Sequence, residues 1–443
     1  MKSSQRKICS AVALAFAAIS ASAAMAATPH LISGGSSLVA PSITSEGTVF
    51  PTADGTFSYF SANSSTGQAA FLTNNSSLYG TTGTVDFGNS DSALQGSQVT
   101  AYNGTAGLGV TNGPLIQIPY VTTPITVPLT NAPTGTGPAL PADASHTPTV
   151  ALNDADLCGI FSGAFTNWNQ VSNPDHSTLY PAGAITVVYR TDGSGTSDLL
   201  TRHLAAVCAL PGMPTASGVT FVETQTFANV FPGATVPSNF MGASGSGGVA
   251  AKLISLRAAA ASASSTDSAV GYLSPDFTNT FLAPSSSSAA SDNLSVASLF
   301  NTTSAVDVVP TAANASTALA GFGPPGTPSN TASAADPTQW VPNAANPATG
   351  YPISGTTNII LSQCYANPAP ATTPSPTAAV IDFLTTHYSS AANAAIINGN
   401  GFTTVPASYT TQITNDFLAP PKGSTTTLNI GNSNVCKGTV TGR

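Results

Sequence analysis

Short runs of apolar and β-branched residues alternate along the chain with glycine-rich polar loops and with a few amphipathic segments. The runs predict β-strands at Gly83–Phe87, Leu115–Val121, Ile125–Pro128 and Ala184–Tyr189. Apolar side chains that recur every three to four residues predict helices at Ser197–Ala209, Thr377–His387 and Ser390–Ile397. Strands that alternate with helices indicate an α/β architecture.

Two stretches depart from this alternation. Asn131–Thr149 is rich in proline, glycine and threonine, and Ala258–Ser268 is almost entirely alanine and serine. Both compositions predict surface excursions. The chain shows no repeat of solenoid period and no proline-rich or glycine-rich linker that would divide it into two halves, so we expect lobes that interleave along the sequence.

The N-terminal segment has the pattern of an export signal. Lys2, Arg6 and Lys7 form a basic region, Ala11–Ala18 is apolar, and Ala24–Ala26 is a small-x-small cleavage pattern. We predict a signal peptide at residues 1–26 that is cleaved after Ala26. The alternative, a membrane anchor, fits less well because the apolar run is short and interrupted by serines, and no later segment could span a bilayer.

Composition excludes several classes of protein. Of 443 residues 42% are apolar and 6% charged, which excludes a coiled coil and charge-rich disorder and suffices for a substantial core. Ten basic residues stand against 18 acidic ones without a basic cluster, so nucleic acid is excluded as a partner. Because three bases lie in the N-terminal segment, the mature chain carries seven bases and a formal charge of −11.

The low charge also suggests a protein that works in an acidic exterior. Acidification changes its net charge little, so we expect stability to fall only modestly between neutral pH and about pH 4. Drift toward small polar residues in a loop-rich exported chain explains the composition equally well.

Cysteines and histidines give no pattern of a metal site. Cys9 lies in the N-terminal segment, and the four other cysteines of an exported chain favour two disulfides, for which three connectivities exist. No C-x-x-C pair is present, and the five histidines lack the spacing of metal ligands. We therefore expect neither a protein-built metal site nor a cofactor.

The segment from Val187 to Asp198 predicts an anion site. An apolar strand ends at Arg190 and leads through Gly193-Ser-Gly-Thr196 into a helix. Such a turn presents backbone N–H groups and the positive end of the helix dipole at one point, and arginine adds a charged clamp. A glycine-rich turn capped by serine and threonine is the structural alternative. No lysine follows the glycines and the G-x-G-x-x-G spacing is missing, so nucleotide binding is not indicated.

Three other segments also contain polar turns that could belong to an anion site. Two glycines precede two serines and a predicted helix start in Ile32–Pro41, and Asn63–Gly67 is a hydroxyl-rich turn. Within Phe87–Leu94, Asp91 follows a predicted strand. An acid beside an anion site fits only an anion that carries a proton, and the alternative for Asp91 is a helix cap or an Asx turn.

These segments resemble the DING-type phosphate-binding proteins, relatives of the periplasmic phosphate-binding component of ABC phosphate transporters. The resemblance extends over nearly the whole mature chain, which departs from the family in its start, ATPHLISGGSS, and in the longer stretch Asn131–Thr149. The motifs that carry it are GGSSL, GNSDSAL, LIQIPYV, DLCGIFSGAFTNW, VVYR with DGSGT, LLTRHL, YLSPDF, YPISGTTNIILSQCYAN and IGNSNVC.

The resemblance implies a type II periplasmic-binding-protein fold, in which two α/β lobes enclose a ligand cleft and are joined by two crossover strands. We expect the crossovers near Pro119–Pro128 and Gly355–Cys364. Residues 27–123 and 363–443 then form the first lobe, and residues 124–362 the second. The family pattern also pairs Cys158 with Cys208 and Cys364 with Cys436.

The same resemblance implies the site and the function. It predicts high-affinity capture of inorganic phosphate in the periplasm or after secretion, by a monomer without a cofactor and with an ABC phosphate permease as partner. The family's phosphate-binding positions fall on Ser37 and Leu38 through their backbone N–H groups, Ser64 and Asp91 in one lobe, and Arg190, Ser194, Gly195 and Thr196 in the other.

Two other functions compete with phosphate capture. A secreted phosphatase-like hydrolase could use Ser194, Asp91 and Arg190, but the sequence supplies neither a metal cluster nor an evident base for the serine. A surface protein that has lost its ligand would suit the low charge, but the match at every site position argues against that loss.

Overall fold

The computed structural model describes residues 28–174, 178–325, 331–366 and 374–443; the predicted signal peptide and its cleavage site lie outside them. The strands of this part of the chain are β1 His30–Gly35, β2 Thr56–Ser61, β3 Val85–Ser90, β4 Leu115–Pro124, β5 Pro128–Thr130, β6 Ala151–Leu152, β7 Ser172–Asn173, β8 Thr178–Leu179, β9 Ile185–Arg190, β10 Phe240–Ala243, β11 Ser268–Val270, β12 Ser295–Val296, β13 Ser298–Asn301, β14 Val306–Val308, β15 Ser354–Ser362 and β16 Thr403–Thr404.

Helices connect most of these strands, as the alternating pattern predicts. They are α1 Ala40–Val49, α2 Ser64–Thr73, α3 Gly96–Asn103, α4 Gly109–Asn112, α5 Asp154–Ser162, α6 Gly195–Val207, α7 Gly245–Ala263, α8 Ser287–Asp292, α9 Ala312–Leu319, α10 Thr331–Ala334, α11 Pro376–Ser389, α12 Ala391–Gly399 and α13 Ala407–Ile413. Short 3₁₀ turns, among them Pro275–Phe277, lie between the helices.

The first sheet has six strands in the order β16-β4-β15-β3-β1-β2. β1 pairs in parallel with β2 and β3, whereas β15 runs antiparallel to both β3 and β4. Every residue of β3, β4 and β15 is buried, as expected for strands that are covered on both faces.

A second sheet, in the order β10-β9-β11-β5-β12, forms the centre of the other lobe. β9 pairs in parallel with β10 and β11, and β5 is antiparallel to its two neighbours. The chain passes from β4 of the first sheet to β5 of the second and returns to the first at β15. This is the two-lobed α/β fold that the resemblance implies, and that prediction is confirmed.

Most of the stretch Ala258–Ser268 is exposed, as predicted, but it is not an excursion from the regular structure. α7 continues through this stretch to Ala263, and β11 begins at Ser268. Alanine has the highest helix propensity but contributes too little hydrophobic contrast to show a helical period, so the pattern conceals the last turns of the helix. The strand predicted at Ile125–Pro128 is also displaced, because Thr126 makes only an isolated bridge to Leu273 and β5 starts at Pro128.

Helix α1 follows the predicted anion-binding segment Ile32–Pro41. A buried pair of side chains, Glu46 and His387, holds this helix in place. Glu46 of α1 is hydrogen-bonded to Nδ1 of His387 on α11 at 2.6 Å, and Nε2 of the same ring donates to the carbonyl of Tyr120 at 2.8 Å. The histidine ring also stacks on the ring of Tyr120 with centroids 3.7 Å apart. These contacts fix α1 against β4 and α11, and so hold its N-terminus in place.

Both disulfides have the connectivity that the resemblance implies. Cys158 and Cys208 lie with Cα atoms 5.6 Å apart and tie α5 to the end of α6, and Cys364 and Cys436 lie 5.5 Å apart. They close loops of 50 and 72 residues. By the loop-entropy argument each contributes about 3–4 kcal/mol of stability.

Buried carboxyl groups make the stability depend on pH in a particular direction. Burial raises the pKa of Asp86 to about 7 and that of Asp156 to about 6, although both accept backbone N–H hydrogen bonds. Their pKa values lie above the ordinary value of about 3.9, so the folded state binds more protons than the unfolded state between about pH 4 and pH 7. Acidification from pH 8 to pH 5 should therefore stabilise the fold by about 1–3 kcal/mol per group.

Urea unfolding at pH 8, 6.5 and 5 measures this effect. The midpoint should rise toward pH 5, and Asp86→Asn should remove part of the rise between pH 8 and pH 6.5. Asp267→Asn, at an exposed position, is the matched control and should leave the profile unchanged. A midpoint that falls steadily from pH 8 to pH 5 would contradict the raised pKa values of Asp86 and Asp156. It would agree instead with the modest loss of stability on acidification that composition suggests.

Candidate functional site

The candidate site lies where the strands of the two sheets end. β1 lies between β2 and β3 and runs parallel to both, so the carboxyl ends of these three strands lie at one edge of the sheet. Beyond these ends the chain leads to Ser36, Ser64 and Asp91. β9 ends at Arg190 in the second sheet. The crevice at the carboxyl ends of parallel strands is the usual ligand position in α/β folds.

Asp91 is the acceptor at the centre of the first lobe's half-site, and its side chain is buried. Its Oδ1 accepts hydrogen bonds from Ser36 Oγ and from Thr357 Oγ1, both at 2.7 Å. Its Oδ2 accepts a weaker set, from Ser36 Oγ at 2.9 Å and from Ser64 Oγ at 3.4 Å. Since a carboxylate oxygen has two lone pairs and the Ser64 contact is long, Oδ2 retains the capacity to accept a hydrogen from a ligand.

The protonation of Asp91 reflects opposing influences. Burial is the largest influence and leaves the pKa of Asp91 above its ordinary value, although the Ser36 and Thr357 hydroxyls and the positive charge of Arg190 lower it. The backbone N–H of Leu38 is tied to the same group, because it donates to Ser36 Oγ at 3.1 Å. Asp91 and the start of α1 therefore form one hydrogen-bonded unit.

Arg190 is the charged group of the second lobe's half-site, and its side chain is 2% exposed. Its Nε donates to Asp192 Oδ1 at 2.7 Å and its Nη2 donates to Asp192 Oδ2 at 2.5 Å. Burial opposes ionisation of Asp192, but the hydrogen bonds and charge of Arg190 hold its pKa below the ordinary value. The guanidinium plane is thus fixed by a two-pronged ion pair.

The ion pair leaves part of the guanidinium available. Arginine has five N–H donors, of which two go to Asp192, and Nη1 makes one long contact of 3.4 Å to Ser246 Oγ. The remaining donors match the fork geometry with which arginine binds an oxyanion. Arg190 is therefore both immobilised and able to bind an anion.

Ser194, Gly195 and Thr196 form the beginning of α6. Ser194 Oγ accepts from Ser197 N at 3.2 Å as the helix cap, so the N–H groups of Gly195 and Thr196 lie in the first turn, where helical N–H groups have no partner within the helix. The hydroxyl of Thr196 is buried and has no hydrogen-bond partner among the described residues. This turn has donors to offer, and the helix dipole favours an anion there.

The two half-sites face each other across a closed seam. Ser65 N donates to the carbonyl of Gly193 at 3.0 Å, Ser65 Oγ donates to the side-chain oxygen of Gln225, and Gln225 Nε2 donates to Gln68 Oε1 at 3.3 Å. A side chain at Gly195 would meet Ser64 Oγ at 2.5 Å and Asp91 Cβ at 2.6 Å. Only glycine permits the backbone of α6 to come this close to the other lobe.

The N-terminus of a third helix, α7, also lies at the candidate site, and the sequence pattern did not predict it. Ser246, in the first turn of α7, is completely buried; its Oγ lies 3.0 Å from Ser37 Oγ, and its N–H donates to Ser37 Oγ at 3.2 Å. Through its 3.4 Å contact with Arg190 it connects predicted residues of both lobes. Its segment, Ala243-Ser-Gly-Ser-Gly-Gly248, has the same order of strand, glycines and helix as the segment that contains Arg190. This pattern could have predicted Ser246 as a site residue.

The structure brings all eight predicted positions to one cleft: Ser37, Leu38, Ser64, Asp91, Arg190, Ser194, Gly195 and Thr196. It adds Ser36 and Thr357 as partners of Asp91, and Asp192 as the partner of Arg190. The R-x-D spacing could have indicated Asp192, whereas nothing in the sequence near Thr357 marks it as a neighbour of Asp91.

Within the residues described, no group of three or more histidine, cysteine, aspartate or glutamate side chains could hold a metal ion. In the same part of the chain, no helix combines the length and apolar character that crossing a membrane requires.

Similarity to known proteins shows the family to which this chain belongs. A family model described as the PBP superfamily domain matches residues 20–387. The solved structure of PfluDING, a high affinity periplasmic phosphate-binding protein bound with phosphate, is 30% identical and covers 94% of this chain and 99% of its own, with a TM-score of 0.69. The chain is a DING-type member of the PBP superfamily.

Other relatives of this DING-type chain carry two different names. A phosphate-binding protein from Stenotrophomonas maltophilia is 32% identical, with a TM-score of 0.68, and the match covers 92% of this chain and 98% of that one. Alkaline phosphatase L of Pseudomonas aeruginosa is 36% identical over 428 residues, or 96% of each chain. The family therefore includes proteins named for binding and a protein named for hydrolysis.

Proposed function

We propose that this protein captures inorganic phosphate with high affinity in the cleft between its lobes. The observation that carries the proposal is the pairing, in one buried cleft, of a fixed guanidinium with a carboxylate oxygen that can still accept a hydrogen. Arg190 supplies the charge, and Asp91 Oδ2 supplies the acceptor. Phosphate near neutral pH is an anion that both accepts hydrogen bonds and retains a proton to donate.

The donors around Asp91 suit the other oxygens of such a ligand. Arg190, the first turn of α6 and the unpartnered Thr196 hydroxyl all present donors, whereas the backbone N–H of Leu38 donates to Ser36 Oγ in this structure and would have to turn to the ligand. Each lobe contributes half of the set, so the ligand completes its hydrogen bonds only when the lobes are together. Phosphate would then favour the closed form through its differential affinity for that form.

We infer from the same family membership that the protein acts in the periplasm or after secretion, as a monomer with an ABC phosphate permease as partner. The periplasmic description of PfluDING and the signal pattern at residues 1–26 support the location. The lobes in this proposal are residues 27–123 with 363–443, and residues 124–362, where β15 at the end of the second range is the crossover strand that returns to the first sheet.

The name of the Pseudomonas aeruginosa relative raises hydrolysis as a second function. The cleft favours binding over hydrolysis, because Ser194 Oγ is occupied as a helix cap and Ser64 Oγ accepts Asp91 N at 3.2 Å. Neither serine is hydrogen-bonded to a histidine or lysine among the described residues, as an activated nucleophile would be. The hydrogen bond between Ser65 N and the Gly193 carbonyl also joins the two half-sites, and a joined cleft suits retention of an anion more than turnover.

Calorimetric titration of phosphate-free protein tests the proposal. Phosphate and arsenate, which both keep a proton near neutrality, should bind tightly, and sulfate should bind at least a hundredfold more weakly because an unpaired acceptor in a buried site costs several kcal/mol. An assay of phenyl phosphate hydrolysis on the same sample separates the second function. Equal affinity for phosphate and sulfate, or turnover of the ester with weak phosphate binding, would overturn the proposal.

A further inference from the structure

A short 3₁₀ turn, Pro275–Phe277, is packed between the two lobes beside the cleft. Phe277 lies against the first turn of α7, and it lines a surface cavity of about 350 Å³ together with Ala40 and Pro41 of α1. On the other side, a side-chain carbon at Gly401 would lie 2.5 Å from Pro275 Cβ. The turn therefore belongs to the second lobe and contacts the first, next to two helices that begin at the cleft.

The central residue of this turn is a carboxyl that the proposed phosphate site does not use. Asp276 has no exposed surface, and neither of its carboxyl oxygens makes a well-formed hydrogen bond among the described residues; the neighbouring Ser274 hydroxyl is likewise buried without a well-formed hydrogen bond. The backbone holds it there, since the Ser286 hydroxyl donates to the Asp276 carbonyl at 2.5 Å. A buried carboxylate without partners is costly, so a neutral, protonated carboxyl is the favoured state.

The charged groups near the turn do not offset this cost. α8 carries Asp292, and α7 carries Lys252 and Arg257, but the Arg257 guanidinium donates to the carbonyls of Asp292 and Asn293 at 3.0 Å each. The group whose charge reaches Asp276 is Asp91, at the centre of the cleft. Burial is the main cause that holds the pKa of Asp276 well above its ordinary value. The Ser274 hydroxyl and the backbone N–H of Asp276 act in the opposite direction, and the negative charge of Asp91 makes a smaller contribution that raises the pKa.

We propose that Asp276 is a carboxyl beside the anion cleft that takes up a proton as the lobes close and so sets the pH range over which the protein holds phosphate. The inference rests on the proposed function and identifies what regulates it. In the open protein α1 moves away from the turn, and water can solvate the Asp276 carboxylate. Closure removes that water and brings Asp91 and a ligand anion near, so the carboxylate must be neutralised.

The sign of the effect follows from linkage. Because Asp276 has an ordinary pKa in the open form and a raised one in the closed form, the closed form binds more protons between those two values. Within that interval, phosphate affinity should fall about tenfold for each unit that the pH rises, in addition to the titration of Asp91 and of phosphate itself. Above the raised pKa the penalty becomes constant.

The experiment compares wild type with Asp276→Asn, which is neutral at every pH and has nearly the same shape. Inorganic phosphate is titrated from pH 5.5 to pH 8.5 in two buffers of different ionisation enthalpy, which gives the affinity and the number of protons taken up. Wild type should take up about one proton more than the variant in the linked interval. Asp276→Ala is the second variant, in case the amide cannot be buried, and Asp292→Asn on the adjacent helix is the control.

The outcomes separate this inference from the proposed function. If wild type binds phosphate and both Asp276 variants take up as many protons as wild type, Asp276 has no role in closure and the inference is wrong. If the Asp276 variants lose about one proton of uptake and Asp292→Asn does not, the inference is supported. Failure of wild-type protein to bind phosphate would instead contradict the proposed function.

Discussion

Replacing Arg190 with alanine should abolish tight phosphate binding and weaken the binding of arsenate and sulfate by a similar factor. The guanidinium is buried, fixed by Asp192 and not specific for a proton on the ligand, so its loss affects every oxyanion alike. The substitution also leaves Asp192 unpaired beside the anion. Loss of one partner from a buried, hydrogen-bonded charge pair costs about 2–5 kcal/mol, or about 30-fold to several thousand-fold in affinity.

Two further variants make this test specific. Arg190→Lys keeps the charge but loses the fork that holds both Asp192 and the ligand, so its affinity should lie between wild type and alanine. Arg257→Ala removes an arginine whose guanidinium donates to two backbone carbonyls at the end of α8, and it should bind phosphate normally. Normal phosphate binding by Arg190→Ala would mean that the cleft has been misidentified.

Replacing Asp91 with asparagine should collapse the discrimination between phosphate and sulfate. In the wild-type cleft, Asp91 Oδ2 faces a ligand that must donate a hydrogen, and sulfate would place lone pairs against lone pairs. The asparagine amide can turn a donor toward the ligand, which suits sulfate and loses the phosphate proton. We expect the selectivity ratio to fall at least a hundredfold, as phosphate weakens and sulfate strengthens.

Competition titration of phosphate against sulfate measures this ratio directly. Thr357→Val is the matched control, because it removes the donor to Asp91 Oδ1 and leaves the carboxylate itself in place. That variant should lose some affinity and keep its selectivity. If the ratio stays at the wild-type value in Asp91→Asn, the role of Asp91 as proton acceptor is wrong, whether or not the variant still binds phosphate.

Local patterns in the sequence were enough to predict the site segments. Two segments show the same order of a strand end, glycines and a helix start: one contains Arg190, and the other contains the serines before α1. Each of these signals lies within about ten residues of chain. The convergence of these segments came from the family resemblance. Contacts such as Thr357 to Asp91, which join positions 266 residues apart, have no local signal.

The errors have a similar physical origin. The end of α7 was missed because an alanine-rich helix on the surface has almost no difference between its faces. Ser246 was missed because its helix start, although glycine-rich, carries no charge that would distinguish it from an ordinary turn. Asp276 sits in a motif that was recognised, YLSPDF, but its burial without a partner depends on tertiary packing that no spacing rule reports.

Several contacts that close the seam between the lobes join uncharged groups: Ser65 with Gly193 and Gln225, Gln225 with Gln68, and Ser37 with Ser246. Hydrogen bonds between neutral groups are not weakened by dissolved ions in the way that surface ion pairs are. These contacts should therefore keep their strength as salinity rises. An exported protein with such a seam would report the presence of its ligand by its shape equally well in dilute and in salty surroundings.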